Sequence, residues 1–372
     1  MFLRAVLLPF ALSRAVLAFV AWTGRQVSAS WSYPFPAEAD RGWSHLPATW
    51  LDALGRWDSS WYLDVARNGY ALAGPLGTVQ SNVAFFPLYP WTVRAAHALL
   101  PGGGPASWYV AALLVSNAAA LGGLWLLWKV TRAVSDDGTA SRAVLYALLF
   151  PTGFVLSAAY PESLFLLLSA GALLAGTRGR FLLAGGLGFL LALSRPGGVM
   201  VAVPLAWLAW TSGVARRVPA LLASALPGAG LLLHAGLLWR VTGDPLALFH
   251  AQAGWGRTLS TPWRTLLRPA LFHPFVGPLE YAALGLVAAA GAWLLSRRET
   301  RALGIWALVS LAPPLLSGVL TSSVRFAGVT FPVFVALALA GRAAWVDRTV
   351  VVTFTAVQAT LFLLWSRYFW VG

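Results

Sequence analysis

The chain has no cysteine, so disulfides, thiolate catalysis and cysteine-ligated metals are excluded. Charge is scarce as well: 10 % of the 372 residues are charged, whereas a soluble domain carries about a quarter, because it faces water on every side. Only twelve carboxylates stand against 26 basic residues, and all but one of the latter are Arg. Neither a Gly-x-x-x-x-Gly-Lys loop for a nucleoside triphosphate nor a His-Glu-x-x-His metal motif occurs. No internal repeat of about 20–50 residues and no low-complexity linker interrupts the chain, which is expected to form a single integral membrane domain over 1–372.

Apolar residues fill the space that charge leaves. They make up 59 % of the sequence and gather in runs long enough for the roughly 20 residues that a helix needs to cross a bilayer. The pattern predicts an all-α, polytopic transmembrane bundle of roughly eleven spans, near 5–23, 106–128, 142–158, 162–177, 180–194, 197–212, 218–240, 278–296, 302–320, 326–341 and 349–366. Twenty Trp suit interfacial belts. The net charge of +14 invites a nucleic-acid partner, but the basic residues are spread singly between spans, as topology signals are, so no nucleic acid is expected.

Residues 5–22 end near Val27-Ser28-Ala29 and mimic a signal peptide, but Arg14 interrupts the apolar stretch. We read it as a retained first span. With the N-terminus cytoplasmic, the short inner loops hold Lys129, Arg132, Arg178, Arg180, Arg216, Arg217, Arg297, Arg298, Arg301, Arg342 and Arg348, while the short outer turns hold only Arg195 and Arg325. Two long segments then fall outside, 24–105 and 241–277. The first contains Phe85 to Leu100, broken by Pro87 and Pro90, which reads as an interfacial or re-entrant helix.

Glu38, Asp40, Asp52, Asp58, Asp64, Glu162, Asp244 and Glu280 fall at or near the outer face. Arg195 and Arg325 have no acidic neighbour within four residues in sequence. Such interfacial cations either snorkel or mark an anionic partner, with Glu162 and a lipid-linked phosphate as the candidates. The densest cluster is Arg56 to Tyr70, which as a helix would put Trp57, Trp61, Asp64 and Asn68 on one stripe and Asp58, Tyr62 and Val65 on another. It reads either as an interfacial aromatic helix with solvated acids or as a site. Moving a sugar from a phosphate carrier to a hydroxyl needs one carboxylate as base and cations for the departing phosphate. One outer Asp with one or two outer Arg meets that need. Of the five His, His250 and His273 lie in the second outer segment, within reach of a substrate there.

Five patches resemble the PIG-V mannosyltransferase family: Phe10-Ala11-Leu12-Ser13-Arg14; Trp57-Asp58 through Ala66 with Gly69-Tyr70; Ala84-Phe85-Phe86-Pro87-Leu88-Tyr89-Pro90; Pro151 through Phe165; and the pair Ser194-Arg195-Pro196-Gly197-Gly198 and Ser323-Val324-Arg325-Phe326. They run in order over most of the chain, although Pro161 and Pro196-Gly197 depart from the family's pattern. The resemblance implies a GT-C glycosyltransferase fold, a polyprenyl-phosphate mannose donor with no cofactor, inversion at the sugar, and chemistry on the extracytoplasmic face of the cell membrane. By matching position Asp58 is the base. Arg195 and Arg325 would face the donor phosphate, with Glu162, Tyr160, Trp57, Trp61, Tyr62, Asp64, Phe86, Tyr89 and His250 around the substrates. The acceptor, a lipid or a glycan, stays open, and no metal site is expected. A lipid or solute transporter and a non-catalytic lipid-binding subunit are the rival readings.

Overall fold

The computed structural model describes residues 1–26, 44–47, 49–211, 213–214, 216–268 and 276–371. Every regular element among them is helical. Val27-Ser28-Ala29, Glu38, Asp40 and His273 lie outside the described residues.

The first rod joins a π-helical turn at Leu3–Leu7 to α1 (Leu8–Gln26). The segment expected as the first outer loop contains a 3-10 turn at Trp50–Gly55, α2 (Ser59–Asn68) and α3 (Leu88–His97). α4 (Pro105–Ala133) opens on a proline, whose missing N–H has no partner to lose in a first turn. α5 (Asp137–Leu149) is capped by Asp136, whose carboxylate accepts the Thr139 N–H at 2.8 Å. α6 (Glu162–Thr177) and α7 (Phe181–Ala192) are followed by a 3-10 turn at Pro196–Val201 that leads into α8 (Ala202–Thr211). α9 (Arg217–Ser224) and α10 (Leu226–Thr242) follow almost end to end, and α10 stops at Gly243 in the left-handed region, φ 72°, where a side chain would be strained. Two short helices, α11 (Ala247–Ala253) and α12 (Pro262–Leu267), occupy the second predicted outer segment. The rest comprises α13 (Val276–Leu295), α14 (Arg301–Val309), α15 (Ala312–Leu316), α16 (Ser323–Ala327), α17 (Pro332–Ala340) and α18 (Ala344–Ser366).

Five helical stretches among the described residues are long and apolar enough to cross a membrane: Leu3–Gln26, Pro105–Ala133, Arg217–Thr242, Val276–Leu295 and Ala344–Ser366. Glu162–Thr177, Phe181–Ala192 and Pro196–Thr211 are apolar but shorter. Two predicted spans are broken. The one near 142–158 leaves α-helix after Leu149, just before Pro151, and the one near 302–320 is split ahead of Pro313-Pro314. Proline removes a ladder donor and clashes with the preceding turn.

α4 packs on α5 and α6, α6 on α7, α7 on α10, and α13 on α14. The α7–α9 approach is so close that a Cβ on Gly185 would strike the Ala223 carbonyl. Leu12, Phe19, Leu182, Leu232 and Trp345 point outward and are exposed. In water that is an aggregation hazard; against acyl chains it is the ordinary arrangement, and the chain is a membrane protein. At one end, Arg132 pairs with Asp137 (2.6 Å), Arg142 with Asp347 (3.1 Å) and Arg342 with Asp136, which ties the loop before α5 to the start of α18.

The break after α5 leaves backbone carbonyls bare in a dry interior, where each must find a donor. Buried Gln358 of α18 donates its Nε2 to Leu148 O (2.8 Å) and Phe150 O (2.7 Å). Ser157 Oγ bonds Asn117 of α4 at 2.7 Å, and the Arg14 guanidinium of α1 reaches Gly153 O at 3.4 Å. Three neighbouring helices thus hold this unwound segment, which leads directly to Tyr160 and Glu162.

Gln358→Leu keeps the volume but removes both hydrogen bonds. Leaving a buried acceptor unmade costs about 1–3 kcal/mol, so thermal unfolding of the purified protein should shift to a clearly lower midpoint. An unchanged midpoint would show that the unwound segment does not depend on this side chain.

Candidate active site

The helix expected from Arg56 to Tyr70 begins later than its pattern suggests. α2 starts at Ser59, and Trp57 adopts a left-handed φ of 58°. Buried Tyr160 accounts for the deviation: its hydroxyl donates to Arg56 O and accepts from Asp58 N–H, both at 2.9 Å. This clip overrides the helical register, so the two predicted stripes hold only from Ser59 onward. A non-glycine residue in this region is strained and persists only when its surroundings dictate it. Asp58 stands at the N-cap of α2 but does not cap it; its carboxylate turns to Arg325 instead.

A chain of four charges follows. Asp58 Oδ2 accepts from Arg325 Nη1 (3.2 Å) and Nη2 (3.1 Å). Arg325 Nε lies 3.1 Å from Glu162 Oε1, and the same oxygen accepts from Arg195 Nη1 at 2.7 Å. Glu162, Arg195 and Arg325 are buried, at 1 %, 8 % and 5 % exposure. Of the two anionic partners considered for these arginines, Glu162 is present and takes not one of them but both. Three helix beginnings meet here, and the position of Glu162 in the first turn of α6 also suits the helix dipole. The guanidinium of Arg195 lies over the Phe326 ring (4.5 Å), and that of Arg325 over Tyr160 (5.1 Å) and Trp370 (5.5 Å).

Beside this chain opens an apolar cavity of about 670 Å³. Arg195 and Phe326 form part of its wall, together with Met200, Phe249, His250 and Arg257. Among the described residues, Arg257 has no carboxylate within ion-pair distance; it donates only to Thr321 O at 3.5 Å and faces Phe326 at 6.0 Å. Burial holds its pKa below the ordinary arginine value, Asp58 opposes that shift, and Arg325 and Arg195 add to it. A neutralising anion would relieve it. His250 Nδ1 pairs with Asp244 at 2.6 Å, and this bond pulls the Asp244 pKa down. Behind Asp58, Arg56 pairs with Asp52 at 2.9 Å. Burial raises the Asp52 carboxyl, but Arg56 and the N–H groups of Leu46 and His45 outweigh it and leave a net lowering.

Several expected residues gather at this centre. Tyr62 is buried among Tyr160, Tyr89 and Phe85, and Trp57 meets Trp370 edge-on at 5.3 Å. Trp61 packs on Phe85 and Trp255. Others tie neighbouring elements together. Asp64 accepts from Asn68 Nδ2 (2.7 Å) and Asn82 Nδ2 (2.6 Å), tying α2 to the Asn82–Ala84 turn. Phe86 lies against His234, and Tyr89 is fully buried with its hydroxyl on Ala112 O and Ser116, because the start of α3 is pressed onto α4. Among the described residues no three His, Asp or Glu stand together as metal ligands. Arg257 and Trp370 were not foreseen. Arg257 lies in the long 241–277 segment with Arg264 and Arg268, not on the short turns that picked out Arg195 and Arg325; nothing in the sequence marked Trp370.

The helical architecture has a counterpart among solved structures. The oligosaccharyltransferase AglB of the archaeon Archaeoglobus fulgidus, in complex with an inhibitory peptide and a dolichol-phosphate, matches 98 % of this chain and 56 % of its own at a TM-score of 0.50 and 12 % identity. ArnT from Cupriavidus metallidurans matches 82 % of this chain and 58 % of its own, at 0.48 and 16 %. The fold is of the GT-C glycosyltransferase class. Within it the chain belongs to the family described as Mannosyltransferase (PIG-V), which matches residues 12–217. GPI mannosyltransferase 2 of Drosophila pseudoobscura pseudoobscura is 34 % identical over 135 residues, a stretch that covers 32 % of this chain and 28 % of that protein.

Glu162→Gln would leave Arg195 with no carboxylate partner among the described residues, and Arg325 with Asp58 alone. Breaking a buried pair from one side costs about 3–5 kcal/mol, so the variant should unfold at a markedly lower temperature than Asp64→Asn. Equal stability of the two would mean that Glu162 does not organise this cluster.

Proposed function

We propose that the protein transfers a sugar, mannose, from a polyprenyl-phosphate carrier to a hydroxyl of a lipid-linked or cell-envelope acceptor, with inversion at the anomeric carbon. One observation carries this reading: Arg195 belongs both to the wall of the apolar cavity and to the charge chain that ends on Asp58. An isoprenoid tail suits the cavity. Its phosphodiester carries a single negative charge, and three guanidinium groups here (Arg195, Arg257, Arg325) face two paired carboxylates (Asp58, Glu162), which leaves one cation over.

In the reaction the acceptor oxygen attacks the anomeric carbon from the face opposite the phosphate. The bond from that carbon to the phosphate oxygen breaks, and its electron pair leaves with the phosphate. The acceptor's proton passes to the Asp58 carboxylate. Arg257 and Arg195 take up the growing phosphate charge, for which the guanidinium fork is well shaped. Arg325 orients Asp58.

Purified protein in liposomes, given lipid-phosphate mannose and candidate acceptors, should yield a mannosylated product by mass spectrometry. Asp58→Asn should remove about 100- to 10,000-fold of the rate. Arg257→Gln should raise the donor KM about tenfold or more, the worth of a charge-assisted contact. Movement of the donor across the bilayer with no product would favour a transporter. Tight binding with no turnover would favour a non-catalytic subunit.

The basic-loop asymmetry supports an extracytoplasmic site and a cytoplasmic N-terminus. The cysteine-free chain makes this simple to test with exposed positions. In sealed cells Thr78→Cys and Leu259→Cys should react with an impermeant thiol reagent, whereas Thr177→Cys and Ser296→Cys should not. Labelling of the second pair alone would invert the topology.

A further inference from the structure

Glu280 is a buried carboxylate on α13, 2 % exposed, with no ion-pair partner among the described residues. Both of its oxygens are engaged by backbone. Oε1 accepts from Ser322 N–H at 2.9 Å, and Oε2 accepts from Val324 N–H at 2.7 Å. These donors belong to the first turn of α16, where orphan N–H groups point away from the helix and carry partial positive charge. Ser322 at the head of that turn has φ 77°, a left-handed conformation that a non-glycine residue keeps only when its surroundings hold it. The next residue but two is Arg325, whose Nη2 also approaches Ser322 Oγ at 3.4 Å. From this turn the guanidinium spans Asp58 and Glu162.

α16 is only five residues long, and the element it packs on most extensively is α13, which carries Glu280. A helix this short has almost no intrinsic stability. A side chain whose two oxygens accept from two amides of the same turn supplies what the short helix lacks, and a rotation of the turn would carry Arg325 off Asp58.

We infer that Glu280 is a positioning residue: by gripping the head of α16 it fixes the Arg325 guanidinium against Asp58. This inference rests on the reading of Asp58 as the base, but its structural half stands apart from it. Glu280 touches neither Asp58 nor the cavity wall. Its loss should therefore act on turnover and leave capture of the donor phosphate by Arg257 and Arg195 in place.

The test uses the full chain in lipid nanodiscs, with Glu280→Gln, which keeps the shape but offers one acceptor where there were two. Should that variant fold poorly, Glu280→Asp, which keeps both oxygens on a shorter arm, serves instead. Hydrogen exchange of the peptide containing Ser322 to Arg325 is read without any substrate, and should quicken at least tenfold. With lipid-phosphate mannose as donor, kcat should fall about 10- to 100-fold while the donor KM stays within about threefold. Ser322→Gly added to Glu280→Gln should restore part of the lost kcat, because glycine adopts the left-handed turn without the carboxylate's help. Unchanged exchange overturns the inference, and so does quickened exchange with full kcat. If the wild-type protein itself makes no product, the transferase reading fails, and the exchange arm still decides whether Glu280 holds the turn.

Discussion

A charge or a bare peptide group inside a lipid-embedded protein has no water to turn to, so each must be answered by another part of the same chain. In this protein the answer is concentrated on one oxygen. Glu162 Oε1 meets Arg195 and Arg325, and Arg325 continues to Asp58. Positions separated by more than 250 residues are thereby brought to one point. Buried pairs of this kind add little net stability, because desolvation offsets most of the attraction. Their value lies in orientation: each partner is fixed by the penalty for leaving it unpaired.

The helix breaks serve the same purpose. The chain leaves regular helix just before Tyr160 and Glu162, beside Arg195, before Ser59 and again before Arg325. Every one of these breaks exposes backbone that a continuous rod would have satisfied. Gln358, Arg14, Tyr160 and Glu280 supply the missing partners from neighbouring elements. Irregular backbone at depth is tolerated only when surrounding protein closes its hydrogen bonds, and it is this backbone that aims side chains along directions a straight helix cannot offer. The Trp57 and Ser322 conformations, both left-handed, stand on either side of the Asp58–Arg325 contact.

Such an arrangement also leaves the cavity with a defined polarity. Its walls are mostly apolar but include Arg195 and Arg257, and among the described residues only the first of these is balanced by a carboxylate. A lipid with one anionic link between tail and sugar fits that profile along its whole length, tail against the wall and link against the cations. An acceptor has no comparable signature among the described residues, which is why the chemistry is better defined than the product.

Composition and periodicity by themselves determined that the chain is helical and membrane-embedded, because burial against lipid imposes its pattern on every turn and leaves a local record. They also marked Glu162, Arg195 and Arg325, since an ionisable group at the edge of an apolar span stands out without any knowledge of its neighbours, whereas Asp58 was chosen from among the outer acids by the family resemblance. What they misjudged were features set at a distance. The stripe through Trp57 and Asp58 looked helical because its spacing is helical, and only the Tyr160 hydroxyl, a hundred residues on, unwinds it. The direction of the Tyr89 hydroxyl, onto Ala112 O and Ser116, is likewise set by packing on α4. Whether an arginine waits for a substrate or is already held by an acid is a matter of a few ångströms, and spacing along the chain carries no such information. Arg195 and Arg257 each lack an acidic neighbour within four residues in sequence; tertiary structure alone brings Glu162 to the first and leaves the second in the cavity wall without a carboxylate partner among the described residues.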